Sequence, residues 1–144
     1  MKSVPGAYDF LPHTADAKFR AYGKTLEEAF RNSARAMFAL ITDIEKVKGK
    51  KKVAVRVKAK RRDSLLFDFL DRLLFLLDTK GLLLHDVEDV KIREEKGVLV
   101  LTGTVVGDHY KRYETHGDVK AVTYSDMAIK EEKGGWACQV VVDL

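Results

Sequence analysis

Cysteine is nearly absent. Cys138 stands alone among 144 residues, which excludes an internal disulfide and leaves no thiolate cluster for a structural zinc. A reducing compartment suits such a chain, and a cytoplasmic location is expected. Long apolar runs are missing too. The first residues, Met1-Lys2-Ser3-Val4-Pro5-Gly6, lead into polar and aromatic positions without the hydrophobic stretch of a signal peptide. The most apolar segment, residues 64–77, is interrupted by Asp68, Asp71 and Arg72 and is too short to span a bilayer, so no membrane partner is expected. There is no glycine-rich phosphate loop, dinucleotide fingerprint or G-x-S-x-G elbow. The histidines His13, His85, His109 and His116 lack the H-x-H or H-x-x-x-H spacing that brings imidazoles together on one metal.

What the chain has is ordinary globular composition, 46% hydrophobic and 33% charged. A chain of this length buries roughly 70% of the surface its unfolded form exposes, enough for one substantial core. Residues 1–144 read as one domain, without a linker or low-complexity segment. The formal charge of +4 permits an anionic partner, but solubility alone accounts for it.

After a loop through residues 5–12, Ala17-Lys18-Phe19-Arg20-Ala21-Tyr22 alternates with the period of a half-buried strand. Thr25-Leu26-Glu27-Glu28 has the S/T-x-x-E form of a helix start, and Leu26, Ala29, Phe30, Ala34, Met37, Phe38 and Ile41 then keep to one helical face. A basic turn, Lys46-Val47-Lys48-Gly49-Lys50-Lys51-Lys52, precedes a strand in which Val53, Val55 and Val57 alternate with a cationic outer face. Asp63 or Ser64 is the expected N-cap of a second helix, and Gly81 suits its end. That helix carries Leu66, Phe69, Leu70, Leu73, Leu74 and Leu77 on one stripe and adds Leu65, Phe67, Phe75 and Leu76. The surplus predicts cover on both sides.

Two hairpins follow, from residues 90–93 with 98–105 and from 121–130 with 136–142. Both turns read Glu-Glu-Lys-Gly. That shared sequence hints at duplication, although turns select glycine and charge for local reasons. The expected architecture is α+β, a two-layer sandwich with two main helices packed on a mostly antiparallel sheet.

Three constellations bear on chemistry. Cys138 lies in Trp136-Ala137-Cys138-Gln139-Val140, where strand alternation favours a buried thiol over a nucleophile. The stretch from Asp108 to Gly117, followed by Lys120 and Tyr124, interleaves aromatic and basic side chains. It fits either nucleic-acid contact, extended by the lysine turn, or a solvated loop. Asp16 sits in a polar turn before the first expected strand, and Asp143 follows Val140-Val141-Val142 one residue from the terminal carboxylate of Leu144. A turn cap and a frayed terminus explain these two acids; so does an oxygen-only site for calcium or magnesium.

His13-Thr14-Ala15-Asp16, Asp63-Ser64-Leu65-Leu66, Val119-Lys120-Ala121-Val122-Thr123-Tyr124 and the closing Val142-Asp143-Leu144 together resemble the archease family over nearly the whole chain. The resemblance implies a protein that is not itself an enzyme and activates the GTP-dependent tRNA-splicing RNA ligase, promoting its guanylylation and multiple turnover. A chaperone-like partnership with a tRNA cytosine methyltransferase, or direct RNA binding, is the alternative. The family's metal site maps onto Asp16, Asp143 and Leu144 and implies calcium, with magnesium not excluded by carboxylate ligands. His13, Lys120 and Tyr124 are the candidate contacts to partner or RNA. Two positions depart from the pattern: Ala17 replaces a larger aliphatic residue, and Ser125 stands where histidine is frequent, so Ser125 is given no role.

Overall fold

The computed structural model describes residues 6–12 and 16–144, so the His13-Thr14-Ala15 part of the first motif lies outside the described residues. The elements run β1 (Tyr8–Leu11), β2 (Ala17–Gly23), α1 (Leu26–Ala39), β3 (Lys51–Ala59), α2 (Arg62–Lys80), β4 (Leu82–Glu95), β5 (Val98–His109), β6 (Ala121–Glu132) and β7 (Gly135–Asp143), with 3-10 turns at Ile44–Lys46 and Tyr110–Arg112. Every strand pairing among the described residues is antiparallel, and the α+β class is as expected. The strands form two sheets rather than one, ordered β1-β2-β7-β6 and β3-β5-β4. The helices join them: α1 packs on β2, β7 and β4, and α2 on β3, β5 and β6.

Residues 8–11, expected as loop, form a strand on the edge of the four-stranded sheet. Pro5 and Pro12 mask it in the sequence, yet a proline just beyond an edge strand removes no ladder hydrogen bond. Tyr8 is buried, and its ring meets Phe10 edge-on at 5.7 Å.

Helix α1 starts as its sequence indicates. Thr25 is extended, and its hydroxyl accepts the Glu28 amide at 3.1 Å, satisfying one of the donors a helix start leaves open. Gly23 is required just before it, because a Cβ there would strike the Ala29 backbone. The N-cap of α2 is Arg61, not Asp63 or Ser64, and it makes no side-chain cap bond. Asp63 sits inside the first turn, where its carboxylate accepts the Ser64 amide at 2.7 Å and favours the positive helix end. Gly81 closes α2 in the left-handed region at φ 66°. The broad apolar surface of α2 is accounted for by its place between sheets. Leu65, Leu66, Phe69, Leu70, Leu73, Leu74 and Leu76 are all buried, while Phe75 stands 56% exposed. Phe30 of α1 stacks on Phe69 at 6.3 Å and joins the helices through the core.

The two hairpins share more than their turns. Asp89 and Asp126, each seven residues before the turn lysine (Lys96 or Lys133), both lie in the left-handed region, at φ 54° and 52°. Each marks a register shift, between Glu88 and Lys91 and between Thr123 and Ala128. Asp-x-x-Ile-basic-Glu-Glu-Lys-Gly is therefore a repeated strand, bulge and turn unit. The turns still differ locally, since Lys96 is left-handed and Lys133 is not.

No described helix is long and apolar enough to cross a membrane. A bidentate pair ties α1 to β4, with the Arg31 Nε and guanidinium NH2 donating to Asp86 at 2.8 and 2.6 Å. Burial works against the Asp86 charge, but the Arg31 guanidinium and the Val87 amide outweigh it and hold the carboxyl below the usual range. A carboxylate with a lowered folded value adds stability that is present above the unfolded value of about 3.9 and is lost as pH falls through the folded one. Asp86→Asn should thus lower the melting temperature most near neutral pH, and the gap to wild type should close as the pH drops from about 5 to 2. Thermal melts across that range check it; a gap that stays constant contradicts it.

Candidate functional site at the end of the four-stranded sheet

The pairing of β2 with β7 brings the two ends of the chain together. Ala17 lies opposite Val142, Phe19 opposite Val140 and Ala21 opposite Cys138. Phe19, Ala21, Cys138, Val140 and Val142 face the helices and are fully buried. Continuing the ladder one residue past Ala17 and Val142 sets Asp16 level with Asp143, at the point where both strands leave the core. Asp16 is half-buried, and Asp143 and Leu144 are exposed.

Strand β6 flanks this end from the other side of β7. Ala121 pairs with Asp143, and the Lys120 amide donates to the Asp143 carbonyl at 2.8 Å. The Lys120 side chain is exposed. Tyr124 comes three residues after Ala121 along β6, about 10 Å from it. It is 51% exposed and stacks on Phe67 of α2, with ring centroids 4.3 Å apart and planes 8° from parallel. Phe67 was legible only as surplus apolar surface on α2; the stacking partner came from the fold. Below the acids, the outer face carries a polar network. Arg20 donates to Gln139 at 2.6 Å, Gln139 donates to the Asp126 carbonyl at 2.9 Å, and Lys18 reaches the Asp126 carboxylate at 3.4 Å. The left-handed bulge at Asp126 turns that residue toward Lys18. The sequence signal for it is the repeat that Asp126 shares with the left-handed Asp89.

The donors at this end are oxygens, the kind that suit calcium or magnesium rather than a soft metal. Among the described residues no group of three or more histidine, cysteine, aspartate and glutamate side chains gathers elsewhere or here. Two side-chain carboxylates would leave most of a cation's shell to main-chain oxygen, water or a partner's groups.

A family model described as the Archease protein family matches residues 8–144. The chain belongs to the archease family. A protein archease of Methanosarcina barkeri is 40% identical over the full length of both chains, and one from Methanothermobacter thermautotrophicus is 43% identical, covering 95% of this chain and 98% of the relative. The solution structure of Methanobacterium thermoautotrophicum protein 1598 superposes with a TM-score of 0.84 at 40% identity, covering 96% and 99% of the two chains. A Thermotoga maritima crystal structure described as an archease, possible chaperone, shares the fold at a TM-score of 0.56 and 19% identity, over 93% and 94% of the chains.

The other sequence candidates take structural places in this archease-family chain. The aromatic and basic stretch is not one surface. Tyr110 binds by its amide to Gly81, at the far end of α2 from Phe67 and Tyr124, about 20 Å away at 1.5 Å per residue. Tyr113 donates its hydroxyl to buried Asp108 at 2.7 Å and accepts the Lys48 amide at 3.1 Å, pinning the loop to the lysine turn. Asp108 is held below the usual carboxylate range chiefly by that hydroxyl. Cys138 is fully buried, and burial pushes its thiol up to about 12 against a hydrogen bond with Ser33. Such a thiol is protonated and inert at neutral pH. An aromatic disulfide reagent should therefore leave the native protein unmodified and titrate one thiol in denaturant; rapid native reaction would contradict this placement.

Proposed function

We propose that this chain is a non-catalytic, cytoplasmic activator of the GTP-dependent tRNA-splicing RNA ligase, promoting ligase guanylylation and multiple turnover. The observation that carries the reading is the convergence of Asp16 and Asp143 at one open sheet end, in a chain that matches its family over its length. Asp16, Asp143 and a main-chain oxygen of Leu144 would hold a divalent cation, calcium by preference, because strand ends tolerate its irregular shell better than the rigid octahedron of magnesium. When bound, the ion would supply charge compensation for phosphate, which is much of what phosphoryl transfer requires. The chain's own part is positional. The locked ladder holds the half-buried Asp16 level with the exposed Asp143 at one sheet end, Lys120 offers a cation to a partner's anionic group, and the Tyr124 and Phe67 stack offers a flat apolar contact. His13, in the same motif as Asp16, joins this set by its place in the sequence. A tRNA methyltransferase would be a second client only if it met the same edge.

Ligation of cleaved tRNA by the matching ligase, with GTP and this protein at a tenth of the ligase concentration, tests the reading. Wild type should raise turnover, and Asp16→Asn or Asp143→Asn should each reduce that gain at least tenfold with unchanged melting behaviour. Full activation by either variant would refute it.

A further inference from the structure

The three-stranded sheet has one face under the helices and one toward solvent. Val55, Val57, Val87, Leu101 and Val105 fill the covered face. The intervening residues therefore point outward, and antiparallel pairing lays them in rows across the strands. One row is Arg56, Thr102 and Lys91, and the next is Lys58, Val100 and Arg93. Four cations thus stand at the corners of a patch, about 7 Å apart along each strand and about 10 Å apart across the intervening β5. All four are exposed. Val100 faces outward yet is only 2% exposed; Lys58 and Arg93 flank it in the row, and their aliphatic stems are the cover available.

Little offsets this charge. Arg56 meets Glu95 at 3.7 Å with both side chains half exposed, a weak pairing in water. Among the described residues, Lys58, Lys91 and Arg93 are in no ion pair. Asp68 and Asp71 of α2 share a cleft with Arg56 and Lys58 at the open edge of β3 but form no ion pair with them. Exposed like charges about 7 to 10 Å apart, within roughly a Debye length, repel weakly, and a polyanion would relieve that repulsion.

We propose that this outer face binds the phosphate backbone of single-stranded RNA. The spacing along each strand follows the repeat of an extended single strand, with a phosphate on each successive nucleotide, and Thr102 places a hydroxyl donor between the two columns. The rows themselves carry no aromatic ring, and Phe75, 56% exposed in the cleft beside Arg56 and Lys58, offers one stacking surface that any base can use, so binding is independent of sequence. One phenylalanine is also far short of the apolar face that holds a protein on a lipid surface. The choice of RNA over DNA rests on the ligase role proposed above; recognition of phosphate does not.

Fluorescence anisotropy of a labelled oligouridylate, with the full chain and no ligase, tests this. Four phosphate contacts predict a slope of about −2.8 in log affinity against log salt, or about a 50-fold loss between 50 and 200 mM. Replacing Arg56, Lys58, Lys91 and Arg93 by glutamine should abolish the slope. Replacing Lys46, Lys48, Lys50 and Lys133 instead should leave it in place, although the net charge lost is the same. Glu95→Gln, which removes the carboxylate that competes with phosphate for Arg56, should tighten binding at each salt concentration while the slope stays near about −2.8, a gain that misfolding cannot mimic. Wild-type affinity in the first variant, equal loss in the second, tighter binding of duplex RNA, or equally effective competition by polyglutamate would each overturn the proposal. Because Asp16→Asn should bind the RNA normally, failure here and failure of the activator role are separable.

Discussion

The register between β2 and β7 is the constraint on which the rest of the molecule depends. Seven consecutive pairs join the start of the chain to its end, with the Arg20 and Gln139 side-chain bond spanning 119 residues. Closing so long a loop costs entropy, and the return is a core face on which Phe19, Val140 and Val142 lose all contact with water. A slip of one residue would exchange those side chains for Lys18, Arg20 and Gln139. Burying two cations in that way is prohibitive. The register therefore has no near competitor, and the two carboxylates just beyond it inherit its rigidity.

Much of this was legible in the sequence. Helical spacing identified both helices, since Phe30, Met37 and Phe69 recur where one face needs them, and Gly81 marked an end that only a left-handed residue could make. The two hairpins were readable from their turns. Less accessible was whatever depended on distant partners. Tyr8–Leu11 became a strand because β2 offers it an edge, and four residues between prolines carry too short an alternation to say so. The division into two sheets follows from helices that reach both, a relation periodicity does not encode. Asp16 and Asp143 were nameable as acids at element ends, but their level placement is a property of the ladder. Tyr124 drew attention as a surface aromatic, whereas Phe67, its partner, looked like any other apolar residue on α2.

The two sheets carry opposite chemistry outward. At the end of one, Asp16 and Asp143 lie level above a paired network of Lys18, Arg20, Gln139 and Asp126; across the face of the other, arginine and lysine alternate with threonine and covered valine. Helix α2 lies between, contributing Phe67 toward the first and Asp68 and Asp71 toward the second. In the role proposed above, the first surface would lie near phosphate chemistry and the second along the strand being joined. The net charge of +4, ambiguous as a total, becomes informative once it is divided between them.

The most direct measurement is a calcium titration of the 15N-labelled protein followed by amide chemical shifts. The account predicts saturable shifts concentrated at Asp16, Ala17, Lys120, Ala121, Asp143 and Leu144, and their loss in Asp16→Asn. Shifts centred instead on the acidic cleft lined by Glu27, Glu28, Glu88 and Asp89, or an absence of saturable shifts at the strand ends, would contradict it.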